Sequence, residues 1–169
     1  MVQVDEATNI VRDAGGRVVG RTRLQKLAFL LEASGLGSGF SFSYRRFGPY
    51  SDELYTSARD AQLLGLLREE EVETGWGGTY SIFTADQIPR DNVPATRKEL
   101  AQLAAKADPI ELELAATAVF LYMQGLRDGW AEVAKRKPDK SKDGRLIKAK
   151  PLYERMRKIN TPVPLPEVC

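Results

Sequence analysis

Apolar positions along this chain change their period several times, and each change marks an element. Residues 3 to 14 read as a short helix that Gly15-Gly16 stops. Leu24, Leu27, Ala28 and Leu31 then recur at i, i+3, i+4 and i+7, the stripe of a helix packed on one face. Thr22 followed by Gln25 has the spacing of a capping box at its start, and the glycines of "SGLGSG" release the chain at its end. "FSFSYRRF" alternates Phe40, Phe42 and Tyr44 with Ser41, Ser43 and Arg45, which is the period of a half-buried strand. After Gly48-Pro49, Ser51 caps a third helix whose first turn carries Asp52 and Glu53, favourable at the positive end of the helix dipole. That helix is expected to run to about Leu67 with Leu54, Ala58, Ala61 and Leu64 inward. A hairpin follows, with Gly75, Gly77 and Gly78 at the turn and Tyr80, Ile82 and Thr84 on the return.

"DQIPRDNVP" reads as a linker, and the rest is mainly helical. Helices are predicted over 95–106 and 109–124; Asp108, Pro109 and Glu111 supply an N-cap, a first-position proline and a first-turn acid. A short helix surrounds Trp130, "KPDKSKDG" forms a polar turn, and a basic helix over 145–158 is either interrupted or begun anew at Pro151. "TPVPLPEV" reads as an extended tail. The expected fold is mostly α, of α+β type. Residues 1–88 would form a winged-helix-like domain with a small antiparallel β wing, 89–160 a helical portion packed on it, and 161–169 the tail.

Composition removes several chemistries. The chain has no histidine, and its one cysteine is the terminal Cys169. Ser-His and Cys-His pairs, histidine bases, histidine-rich metal sites and cysteine-rich zinc sites are therefore impossible within one chain, as is a disulfide framework. No metal or cofactor is expected, and no enzymatic activity. "GWGG" at 75–78 lacks the following Lys-Ser/Thr and helix of a phosphate loop. The longest apolar stretch, Leu112 to Met123, contains Glu113 and is too short to span a bilayer. With no secretion-signal pattern at the start, the expected location is the cytoplasm.

Net charge becomes informative once it is divided along the chain. Residues 51–75 hold two arginines against seven carboxylates, a net of −5, whereas residues 135–158 hold eleven Lys and Arg against three acids, a net of +8.

Three stretches, "TRLQKLAFLLEAS", "YRRFGPYSDEL" and "LLGLLREE…GGTYSIF", together resemble the YwgA-like family of small prokaryotic proteins. More distantly they are similar to the Panacea, or SocA-type, antitoxin domain, with its Leu-Gln-Lys-Leu helix and Gly-Pro-Tyr-type turn. The resemblance covers roughly the first 85 residues. It implies a winged-helix-like core, no catalytic activity and, for the antitoxin relatives, neutralisation of a partner protein.

Candidate sites follow from charge and motif. Gln25, Lys26, Gly48, Pro49, Tyr50 and Ser51 form a structural motif. The capping pattern favours Gln25 as part of the cap with Lys26 solvated; the alternative turns both toward Tyr50. Arg45 and Arg46 either hold an anion at the start of the Ser51 helix or pair with Asp52 and Glu53. Asp52, Glu53, Asp60, Glu69, Glu70, Glu71 and Glu73 make an acidic surface that opposes phosphate and suits a basic protein partner. The alternative is a nucleic-acid regulator using Arg45 and Arg46 with Lys135, Arg136, Lys137, Lys140, Lys142, Arg145, Lys148 and Lys150. Trp130 and Tyr153 would then stack on bases, although Trp130 also reads as a core anchor. A homodimer in which the acidic and basic regions meet is a further arrangement. The expected function is a non-enzymatic module that binds and regulates a partner protein.

Overall fold

A computed structural model describes residues 4–168, so the predicted start of the first helix at Gln3 and the terminal thiol of Cys169 lie outside the described residues. The first part runs α1 (Glu6–Asp13), β1 (Arg17–Val19), α2 (Arg21–Ala33), β2 (Ser43–Arg45), β3 (Gly48–Tyr50), α3 (Asp52–Leu63), β4 (Arg68–Glu73) and β5 (Thr79–Thr84). The second is helical: α4 (Ala95–Lys106), α5 (Pro109–Met123), α6 (Gly129–Arg136), α7 (Pro138–Ser141) and α8 (Arg145–Arg157). The fold is thus mixed α/β, with eight helices among the described residues and a small antiparallel sheet.

That sheet has the order β1-β5-β4. In the expected hairpin Glu69 lies opposite Phe83 and Val72 opposite Tyr80. β1 extends the sheet by pairing Val18 with Phe83, a strand of three residues that has too few positions to show a period. Alternation then decides burial: Phe83, Ser81 and Val18 face the core, while Tyr80 is exposed on the other side.

Two helix expectations and one strand expectation change. α3 stops at Leu63, not Leu67, because the chain turns through Gly65 at φ 74; Leu64 therefore lies outside the stripe and is exposed rather than inward. α8 continues through Pro151, with Leu152, Tyr153 and Met156 buried beyond it. The alternating segment 40–46 yields only the short β2, which pairs with β3 as a separate two-stranded hairpin.

α5 is the central element. Every residue from Leu112 to Leu121 is buried, so its faces are all covered, as expected of a helix apolar all round. Asp108 caps it by accepting from the N–H groups of Ile110 and Glu111, as the sequence pattern predicts. α2, β3, α6 and α8 pack around it, and buried apolar side chains from Ala7 to Val168 form one cluster. The tail belongs to that cluster: Leu165 and Val168 are buried, Val163 N–H donates to Ser34 O, and the Tyr153 hydroxyl donates to Pro166 O.

A buried ion cluster joins α1 to α4. Asp13, at the end of α1, accepts from Arg97 Nε at 2.6 Å and from Arg90 at 2.9 Å, and Arg97 also donates to Leu36 O. Arg90 comes from the segment read as a linker. Removing one partner from such a cluster leaves uncompensated buried charge. Asp13→Ala is therefore expected to lower unfolding free energy by about 3–5 kcal/mol in urea titrations, whereas Asp86→Ala, which breaks the exposed Arg68–Asp86 pair, should cost about 0–1 kcal/mol. Equal costs would show that the Asp13 cluster does not hold the two helices together.

Candidate functional site

The β2–β3 hairpin is too short to support itself, and side chains from two helices hold it. Gln25 reads both backbone groups of Ser51: its Nε2 donates to Ser51 O at 3.0 Å, and its Oε1 accepts the Ser51 N–H at 2.8 Å. Lys26 Nζ donates to Pro49 O at 2.8 Å. Ser51 in turn accepts the Leu54 N–H and starts α3. The capping box at Thr22 does not form. α2 starts after Gly20, so Thr22 already lies inside the helix and Gln25 is free to turn toward the corner. Lys26, expected in solvent, is only 1% exposed.

On its other side the hairpin meets α5 and α7. Glu113, the one carboxylate within the Leu112–Met123 stretch, is buried and accepts from Lys137 Nζ at 3.0 Å and from Lys140 Nζ at 2.8 Å. Lys137 also donates to Arg46 O at 3.1 Å. Burial pushes the Lys26 ammonium down to about 7; Glu113 opposes that shift, and Lys137 and Lys140 add to it. Gly48 has φ 94, and a Cβ there would collide with Thr117 Oγ1. Only glycine satisfies both the left-handed backbone and the close approach to α5.

A cleft of about 600 Å³ opens between α2, this corner, α3 and the sheet. Its walls carry Arg21, Arg45, Arg46 and Arg59 with Phe47, Tyr50 and Tyr55, over a floor of buried Leu24, Leu54, Ala58 and Phe83. Arg45 pairs with Asp52 at 2.9 Å, which is the self-paired arrangement considered from sequence. Arg21 pairs with Glu69 at 2.7 Å. Burial alone would raise the Glu69 carboxyl, but hydrogen bonds from Arg21, Ser81 and Gln62 outweigh it and hold the group below the usual carboxylate range. Burial, reinforced by Asp52, pushes the Tyr50 hydroxyl upward. Arg46 lies over the Phe47 ring at 5.3 Å and Arg59 over the Tyr55 ring at 5.8 Å.

Both charged surfaces expected from sequence are thinned by internal pairing. Asp52 and Glu69 are engaged as above, Glu53 accepts the Ser41 N–H at 2.8 Å, and Glu71 lies 3.8 Å from Arg21. Asp60, Glu70 and Glu73 have no cationic partner among the described residues. In the basic segment, Lys137 and Lys140 are drawn to Glu113, Arg136 to Glu132, and Lys142 lies 4.0 Å from Asp139. Lys135, Arg145 and Lys148 have no such partner among the described residues, while Lys150 sits 5.9 Å from the Trp130 ring centre. Trp130 and Tyr153 are buried against each other, which bears out Trp130 as a core anchor and corrects the alternative of both as base-stacking groups. No ion pair among the described residues joins the acidic and basic regions.

Sequence reasoning missed Arg21, Tyr55 and Arg59. Tyr55 and Arg59 had a usable signal, since they are four apart on α3. It also missed exposed apolar side chains at both ends of the β4–β5 hairpin: Leu63, Leu64 and Leu66 before its base, the first two 83% and 66% exposed, and Trp76 at its tip, 94% exposed, with Tyr80 exposed along β5. No protein-family model, curated protein or solved structure matches the chain.

Two substitutions test the corner. Gly48→Ala should cost about 1–3 kcal/mol from backbone strain, with a further loss from the Thr117 collision. Gly65→Ala, at φ 74 with open space around it, should show the strain alone. Equal losses in denaturant titrations would remove the close approach from the argument. Between pH 7 and about 10 the unfolded chain keeps the Lys26 proton that the folded chain releases at about 7, so the unfolded state binds more protons and stability rises with pH. This contribution is lost as pH falls to about 7. Lys26→Met should remove a slope of up to about 1.4 kcal/mol per pH unit in that window. An unchanged slope would mean that Lys26 is charged when folded.

Proposed function

We infer that this protein is a non-enzymatic interaction module that binds and regulates a partner protein through α3 and the β4–β5 hairpin. The observation that carries the reading is the set of large apolar side chains left in solvent between residues 63 and 80, with Trp76 at the hairpin tip 94% exposed. Leu63, Leu64 and Leu66 fall within four positions of one another, and large side chains left this exposed are candidates for burial against a partner. Asp60, Glu70 and Glu73 accompany them without cationic partners among the described residues, so the fitting partner has apolar pockets and a basic rim.

A winged-helix-like core is part of the same reading. Its support is the element order through β5 and the β1-β5-β4 sheet, in which the β4–β5 hairpin takes the place of the wing. The acidic residues of α3 and β4 disfavour placing that face on a phosphate backbone. The resemblance to the Panacea antitoxin domain agrees with a partner-neutralising role, and the antitoxin-like function is proposed on that footing.

Tagged full-length protein recovered from source-cell lysate after nuclease treatment tests this. A stoichiometric protein partner is expected, with Trp76→Ala and the pair Leu63→Asp, Leu64→Asp each weakening its binding by about thirtyfold or more. Charge reversal at Glu70 and Glu73 should weaken it further. A partner retained undiminished by all these variants, or one that vanishes with nuclease, would overturn the reading and turn attention to Lys135, Arg145 and Lys148.

A further inference from the structure

The cleft beside the β2–β3 corner has a charge surplus that the partner-binding reading leaves unused. Its two lining carboxylates are already taken: Asp52 by Arg45 at 2.9 Å and Glu69 by Arg21 at 2.7 Å. Arg46 and Arg59 also line it and have no carboxylate partner among the described residues. They come from different elements, Arg46 from the hairpin turn and Arg59 from the second half of α3.

Both guanidiniums are supported on aromatic rings. Arg46 lies 5.3 Å from the centre of Phe47, and Arg59 lies 5.8 Å from that of Tyr55. An arginine held over a ring keeps its charge, and its N–H edge remains available for the two parallel hydrogen bonds that a carboxylate or phosphate accepts. Leu24, Leu54, Ala58 and Phe83 form the buried floor of the same cleft, and the rings of Phe47, Tyr50 and Tyr55 give it accessible apolar surface. The volume, about 600 Å³, lies in the usual range for small-ligand sites.

We propose that this cleft is a binding site for an organic anion, a carboxylate or phosphate carried on an apolar body. Arg46 and Arg59 hold the acid, and the rings of Phe47, Tyr50 and Tyr55 take the body. Because α3 also leads into the exposed residues from Leu63 onward, the ligand would sit on the element that carries the partner surface. The proposal does not depend on a partner being found, and its test uses none of the residues that test the partner surface.

Full-length protein is titrated with phenyl phosphate, with 4-phenylbutyrate and with uncharged 4-phenylbutan-1-ol at low ionic strength. Calorimetry gives affinity, and NMR of the Tyr50 and Tyr55 rings reports position. Saturable binding of at least one anion, tighter than the alcohol and weakened by salt, is expected. Arg46→Gln and Arg59→Gln should each reduce anion affinity about tenfold while leaving alcohol binding little changed. Both arginines are exposed, so these variants are expected to fold, which circular dichroism checks. Arg127→Gln, also exposed and absent from the cleft lining, removes the same charge elsewhere and should change nothing. The preferred anion identifies the acid as carboxylate or phosphate. No saturable anion binding, equal binding of the alcohol, or equal effects of all three substitutions would overturn the proposal.

Discussion

The rest of the structure depends on how three backbone groups at one corner are satisfied. Ser51 O already accepts the Tyr55 N–H of α3, whereas Pro49 O and the Ser51 N–H take side-chain partners from outside the hairpin, and buried polar groups left unpaired cost free energy. α2 supplies them with adjacent residues, Gln25 and Lys26. The Gln25 amide pairs with Ser51 on both sides, which fixes the residue from which α3 starts. Since α3 and the hairpin form walls of the cleft, this local requirement positions Arg45, Arg46, Tyr55 and Arg59 around one space.

Satisfying the corner with a lysine brings an electrostatic burden. Lys26 lies among Lys137, Lys140 and Glu113, where one buried carboxylate faces three amines. Neutralising Lys26 near pH 7 relieves the crowding without losing its hydrogen bond to Pro49, because a neutral amine still donates. The same carboxylate holds Lys137 and Lys140 and so ties α7 and the end of α6 against the hairpin. The corner is therefore clamped from both faces, and the basic run of residues 135–150 is partly a structural element.

Charge along the chain is consequently a poor map of charge in space. Of the acidic residues in 51–75, some hold loops and arginines in place, and those left over flank exposed leucines and a tryptophan. Of the arginines near the corner, two are answered by carboxylates and two are not. Arg46, Arg59 and the exposed apolar side chains from Leu63 to Tyr80 fall on or beside α3 and its two neighbouring hairpins, while Lys135, Arg145 and Lys148, in the helical portion, have no carboxylate partner among the described residues.

Short-range patterns determined much of the secondary structure. The Asp108 cap, the Ser51 cap and the 69–84 hairpin all rest on interactions within a few residues, so their signals lie side by side in the chain. Where a competing long-range contact existed, the local reading failed: Gln25 abandoned the cap for a backbone 26 residues away, and Lys26 left solvent with it. Glu113 reads from sequence as a blemish in an apolar helix, and Asp13 as an ordinary helix end. Each is the centre of a buried ion cluster, because arginines or lysines more than 20 residues distant arrive at the same place. The cleft was illegible for the same reason: its cations are scattered over 21–59, and only the packing of α2, the corner and α3 makes them neighbours. Composition and local period determined most of the helices and strands, though not β1 or α7, and excluded the chemistries that need histidine or several cysteines. Tertiary packing decided which charges are spent inside the fold and which remain to meet another molecule, since pairing energy depends on separation in space and on burial, neither of which the order of residues contains.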